Sequence, residues 1–282
     1  MTPCHVVEIQ TPKKVVLNGL WFGPAKPERV IVWVHGMFGS VFSMRGVIDA
    51  LVNDDTAVLT FNNRGYGTVN DVTRRVSKTK KEYVRAGTAH EVFEDCLDDI
   101  DGALTYARTH CANIVLAGHS TGCQKVVYYA AKRRSAYPLI LFGPLSDYAG
   151  DGKKPEIVPV VRKAKKLVAQ NRGAALMPAG SWWHYADAQR FVSLYTPDSV
   201  EQSIFPYFDA SRRPRELELL TVPVLIFLAG ADEYSEIPAR KLAQWYGKYV
   251  HGEKSRICIV PRVKHNFKEG ESFIQKAARE WW

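Results

Sequence analysis

No stretch of this chain approaches the ~18 consecutive apolar residues of a membrane-crossing helix. The longest strong run, 224–229, is strand-sized, so no membrane partner is expected. Cysteines are few: Cys4, Cys96, Cys111, Cys123 and Cys258 make five in 282 residues. They are odd in number and lack CxxC or metal-ligand spacing, so neither a disulfide framework nor a metal site is expected. Reduced, mostly buried thiols are the simpler reading. The N-terminal MTPCHVVEIQTPKK has no apolar core of a secretory signal, which leads to the expectation of a cytoplasmic protein. Internal repeats and low-complexity linkers are absent. So are helix-turn-helix, zinc-finger and RNA-binding aromatic signatures. The net charge of +9 therefore does not point to nucleic acid as a partner.

What is present begins with an apolar share of 46%, ample for a globular core. The positive excess lies in two segments. Residues 74–85 (RRVSKTKKEYVR) carry six basic groups and one acid; residues 151–166 carry six and two. The rest of the chain is balanced. Both segments read as lying between regular elements, as solvated loops and helix faces. The alternative is a positive rim that steers an anionic substrate into a cleft.

Continuously apolar, β-branched runs at 30–34, 57–61, 114–117, 139–142, 224–228 and 256–260 predict strands buried on both faces, as in a parallel sheet. Segments 6–9 and 15–22 predict an antiparallel addition at the N-terminus. Helical spacing occupies 45–52, 89–109, 124–132, 238–249 and 272–281 between these runs. In 89–109 the acids Glu91, Glu94, Asp95, Asp98, Asp99 and Asp101 fall mainly opposite the apolar face. Alternating strands and helices imply an α/β fold with right-handed crossovers.

The alternation stops between Pro144 and Thr221, too long a stretch for a plain loop. Residues 144–220 are expected to form a mainly helical cap over the carboxyl edge of the sheet. The core would then comprise 1–143 and 221–282. Trp182, Trp183, Tyr185 and Phe191 in this stretch either line an apolar substrate pocket or pack the cap onto the sheet.

Gly118-His119-Ser120-Thr121-Gly122 fits G-x-S-x-G between a predicted strand and a predicted helix, the setting this motif requires. The turn would raise the Ser120 hydroxyl into a cleft as nucleophile. Side chains at either glycine would collide with the neighbouring strand and helix. The Thr121 amide, at the helix start, is a natural oxyanion donor. By position after strand 30–34, the turn His35-Gly36-Met37-Phe38-Gly39 offers the Met37 amide as the second donor. The His35 ring is expected to tie that loop down. Cys123 reads as a helix-packing residue and not as a second nucleophile.

A serine hydroxyl needs a base, and the chain order serine, acid, histidine sets where to look. His265 follows the last predicted strand, where a loop can hang it over Ser120. His251 precedes that strand and falls at the opposite edge. Asp232, after strand 224–228, is the expected acid; Glu233 and Asp147 are the alternatives.

With these residues in place, the chain resembles the α/β-hydrolase superfamily over nearly its whole length, through HGMFGS, GHSTGC, GADEY and KHNF. GHSTGCQ, FEDCLDDI, RFVSLY and ADEY are similar to a branch that includes fungal siderophore esterases. The resemblance implies an eight-stranded sheet, a helical cap and cofactor-free hydrolysis of a carboxylic ester. It implies Ser120 as nucleophile, Asp232 as acid and His265 as base. Asn62-Asn63-Arg64-Gly65-Tyr66-Gly67 also looks like the superfamily loop beside the oxyanion turn. There Arg64 either anchors the loop or meets an anionic substrate.

The leading expectation is thus a serine ester hydrolase acting on a small or medium molecule. An amidase, peptidase, thioesterase or acyltransferase would share the same acyl-enzyme. A non-catalytic ligand receptor on this fold would leave Ser120 inert.

Overall fold

The computed structural model describes residues 2–178 and 185–282. Strands β1 (Cys4–Gln10) and β2 (Val15–Phe22) form the antiparallel entry. Then come β3 (Arg29–Val34), α1 (Arg45–Leu51), β4 (Thr56–Phe61), β5 (Asn70–Arg75) and β6 (Lys81–Ala86). Next are α2 (Cys96–Arg108), β7 (Ile114–His119), α3 (Thr121–Arg133) and β8 (Leu139–Phe142). Between β8 and the next strand lie α4 (Ile157–Ala169), α5 (Ala188–Tyr195), α6 (Val200–Ser203) and α7 (Arg215–Glu218). The chain ends with β9 (Val224–Ala229), α8 (Ala239–Tyr246), β10 (Arg256–Val260) and α9 (Glu271–Trp281).

The strands make one sheet in the order β10-β9-β8-β7-β3-β4-β2-β5-β6, with β1 on β2. From β10 to β4 every pairing is parallel; β1, β2, β5 and β6 add antiparallel ladders. The parallel strands are apolar at successive positions because helices cover both faces. One core packs Ile100, Ala103 and Val126 of α2 and α3 with Tyr246 of α8. The other packs Val47 and Ile48 of α1 with Ile274 and Ala277 of α9. A third, smaller cluster belongs to α4 and α5 (Ile157, Ala164, Phe191, Leu194), and Met37 packs against it.

Three expectations change. Among the described residues the sheet has ten strands, not eight, because the basic segment 74–85 is mostly the β5–β6 hairpin. Each of its strands has a single buried residue among six, so neither shows the apolar run that marked the others. The helix expected over 89–109 starts at Cys96; Glu91 and Val92 have extended backbone. Finally, Glu91, Asp98 and Asp99 are buried, not solvated. Asp98 and Asp99 hold Arg64, whose guanidinium lies 2.7 Å from each carboxylate. Burial raises the Asp99 carboxyl to about 6 even with Arg64 lowering it. Of the two roles weighed for Arg64, the structure has it anchoring its loop.

Candidate active site

Ser120 sits between β7 and α3 at φ 53°, ψ −127°. A non-glycine residue held there stores on the order of 1–3 kcal/mol of strain. The surroundings enforce it: the Ser120 amide donates to Phe142 O at 2.9 Å. A Cβ on Gly118 would come within 2.4 Å of Gly122 O, and one on Gly122 within 2.2 Å of Val34 O. Only glycine fits either side of the turn, one facing the helix start and the other facing β3. Cys123 is fully buried, its thiol directed at Gly118 O and Phe142 O. Burial pushes that thiol well above its usual pKa, which suits packing and not nucleophilic attack.

The loop after β3 passes close by: a Cβ on Gly36 would lie 2.7 Å from the Ser120 Cβ. His35 is buried, and burial together with the Lys125 charge lowers its pKa to about 4. The neutral ring donates from Nδ1 to Gly36 O at 2.8 Å. Gly39 N donates to the same oxygen at 3.0 Å. Because a trans peptide is planar, fixing the Gly36 carbonyl aims the Met37 N–H the opposite way. Asn63 Nδ2 donates to His35 O at 3.3 Å and Asn62 Oδ1 accepts from Val41 N at 2.9 Å.

His265 lies on the loop after β10, with Nδ1 2.8 Å from Asp232 Oδ2. The other carboxylates that the sequence offered have other partners. Glu233 accepts from the His265 backbone amide at 2.9 Å. Asp147 Oδ2 lies 3.5 Å from the Gln202 side-chain amide. His119 was not singled out by sequence reasoning. Burial, with His265 nearby, lowers its pKa to about 3, and neutral Nε2–H donates to His265 O at 3.0 Å. His265 is thus held at ring, amide and carbonyl by three separate residues. The signal for His119 was its place inside G-x-S-x-G, where its neighbour drew the attention. His251 is exposed and precedes β10, at the other end of that strand from His265.

Ser120, His265, Met37 and Thr121 line one cavity of about 770 Å³. The alternative of a positive rim finds no support in its described lining. Asp147, Asp151, Glu233 and Glu236 contribute carboxylates, while the lysine, Lys154, pairs with Asp151 at 2.5 Å. Among the described residues none of 74–85 lines it; that segment is the hairpin at the far edge of the sheet. Burial, with Glu201 nearby, raises the Asp147 carboxyl to about 7. Phe191 does not line the cavity: it is fully buried in the cluster of α4 and α5, on the inner face of its helix. Tyr185 is half exposed and outside the lining. Trp182 and Trp183 lie outside the described residues. Among the described residues no group of three or more His, Cys, Asp or Glu is placed to hold a metal ion, and no helix is long and apolar enough to cross a membrane.

A mostly parallel sheet with a strained serine turn, and an imidazole–carboxylate pair on the loops after two further strands, defines an α/β-hydrolase type of enzyme. The model of the Alpha/beta hydrolase family matches residues 31–267, and the chain belongs to that family. No curated protein matches the sequence. Among solved structures, DcsB in complex with its substrate analogue is similar over 99% of this chain and 98% of its own, with TM-score 0.67 and 15% identity. Est1E from Butyrivibrio proteoclasticus with bound ferulic acid is similar over 98% and 97%, with TM-score 0.64 and 18% identity. The Pyrococcus furiosus esterase Pf2001 follows over 99% and 90%, with TM-score 0.62 and 14% identity. At these identities the likeness is one of fold.

Proposed function

We propose that this hydrolase cleaves carboxylic esters of small or medium molecules through Ser120, His265 and Asp232. The observation that carries this reading is the 2.8 Å contact of Asp232 with His265 Nδ1, beside a cavity that His265 and Ser120 share. Asp232 holds the imidazole in the tautomer whose Nε2 is free to accept a proton. His265 takes the Ser120 proton as Oγ attacks the ester carbonyl. The Met37 and Thr121 amides stabilise the oxyanion. The imidazolium then gives its proton to the departing alkoxide. Water, deprotonated in turn by His265, releases the acid and restores the serine. That the similar fold from Pyrococcus furiosus is named an esterase accords with this reading. With carboxylates dominating the described lining, neutral esters fit this cavity better than anionic ones.

The test is p-nitrophenyl butyrate hydrolysis with Ser120→Ala and Asp232→Asn. Loss of kcat by about 10⁴-fold or more is expected for each, with fluorophosphonate labelling of the wild type abolished in Ser120→Ala. Unchanged turnover in Ser120→Ala would overturn the proposal.

A further inference from the structure

Four charged side chains lie buried where the segment between β8 and β9 meets the sheet: Glu91, Lys125, Arg190 and Glu201. None takes part in the steps above. Arg190 of α5 sits between two carboxylates, Nη2 2.9 Å from Glu91 Oε2 and Nη1 2.5 Å from Glu201 Oε2. Lys125 of α3 pairs with the other Glu91 oxygen. Burial pushes the Glu91 carboxyl up, but Lys125 and Arg190 outweigh it and keep the group below its usual range. Asp187 caps α5 by accepting from Arg190 N at 2.8 Å. It also lies 3.1 Å from His90 Nδ1, and its own amide donates to Ala89 O at 2.9 Å. Helix α5 thus grips Ala89, His90 and Glu91 one after another.

The residue before them is Thr88, fully buried. Its hydroxyl donates to Gly65 O at 2.7 Å and accepts from Phe38 N at 2.9 Å. Phe38 has φ +57°, a left-handed backbone that costs a phenylalanine roughly 1–2 kcal/mol and needs an outside constraint to persist. The Phe38 N–H belongs to the peptide plane that follows Met37; the plane that precedes it is pinned through Gly36 O. Met37 itself packs against the cluster of α4 and α5.

We infer that Thr88 is a positioning residue, transmitting the seating of α5 to the loop that aims the Met37 amide. This rests on the proposed role of that amide at the oxyanion. A donor fixed in advance needs no reorganisation when charge develops. Loss of the Thr88 hydroxyl releases one of the two planes flanking Met37 and lets Phe38 relax.

The experiment compares Thr88→Val, which keeps shape but removes both hydrogen bonds, with Thr88→Ser, which keeps the hydroxyl. Rates on p-nitrophenyl butyrate are normalised to active sites counted with a fluorophosphonate. Thr88→Val is expected to lower kcat about tenfold with KM within about twofold. Affinity for a trifluoromethyl ketone, which forms the tetrahedral oxyanion, should fall in parallel. Thr88→Ser should restore both to within about threefold. His90→Ala should lower kcat about two- to threefold in the wild type and have no further effect in Thr88→Val. Thr88→Ala replaces the valine variant if that one does not fold. Full kcat and ketone affinity without the hydroxyl, failure of serine to rescue, or multiplicative effects of the His90 change would each overturn the inference. A wild type that neither hydrolyses esters nor takes the fluorophosphonate would instead overturn the esterase reading.

Discussion

The β5–β6 hairpin and the Glu91–Lys125–Arg190–Glu201 cluster both concentrate charge, on opposite terms. In the hairpin the charges lie in water; its ion pair Arg74–Glu82 joins side chains 48% and 39% exposed. In the cluster two cations and two carboxylates are shut away together, with Arg190 and Glu201 at 0% exposure. Charge in water is cheap to place and contributes little when paired. Charge removed from water is tolerated only while its partners are present. The hairpin therefore carries part of the chain's positive excess, while the cluster fixes how the segment between β8 and β9 sits on the sheet.

The sharpest way to break this comparison is to remove one member of the cluster. Glu201→Gln leaves two buried cations against one carboxylate and is expected to destabilise the fold by about 3–5 kcal/mol in urea denaturation. Adding Arg190→Met restores the balance, so the double variant should lose less than the sum of the two singles. Equal, additive losses would mean that the charges act independently.

Asp147 sharpens the comparison at the cavity wall. Its carboxyl is raised from the usual range to about 7, so above pH ~4 the folded chain retains a proton that the unfolded chain releases. Folded molecules then bind more protons than unfolded ones, and this group makes stability fall as pH rises toward 7. Asp147→Asn removes the effect. Its gain in Tm over the wild type is expected to be larger at pH 8 than at pH 5, by on the order of 2 °C. A gain independent of pH would contradict the raised value.

The smallest effect belongs to the hairpin. Exchanging Lys78, Lys80 and Lys81 for glutamine should change stability by less than about 0.5 kcal/mol. It should also leave the ratio of kcat/KM between an anionic and a neutral ester unaltered. A drop confined to the anionic ester would reinstate the basic segment as a steering surface.

The parallel strands were legible because burial on both faces writes itself into consecutive residues such as Val30–Val34 and Val224–Leu228. The elbow was legible for a similar reason: Gly118 and Gly122 flank Ser120 within five residues, and crowding there admits nothing larger. The hairpin was missed because exposed strands carry no such constraint. The start of α2 was misplaced because Glu91 looks like any acid on a helix, and only Lys125 and Arg190, far away in sequence, show why the chain is extended there. Three carboxylates were open as partners of His265. Distances assign Asp232 to the ring, Glu233 to the backbone amide and Asp147 to Gln202.

By itself the sequence determined the α/β class, the place of the serine turn and the loops that face it, since strand burial and tight-turn sterics act between near neighbours. Tertiary structure alone decided which carboxyl meets the imidazole, what Thr88 and Glu91 hold, and that the described cavity lining is acidic while the chain is basic. Those outcomes depend on directions and desolvation across the sheet, which no local pattern of residues records.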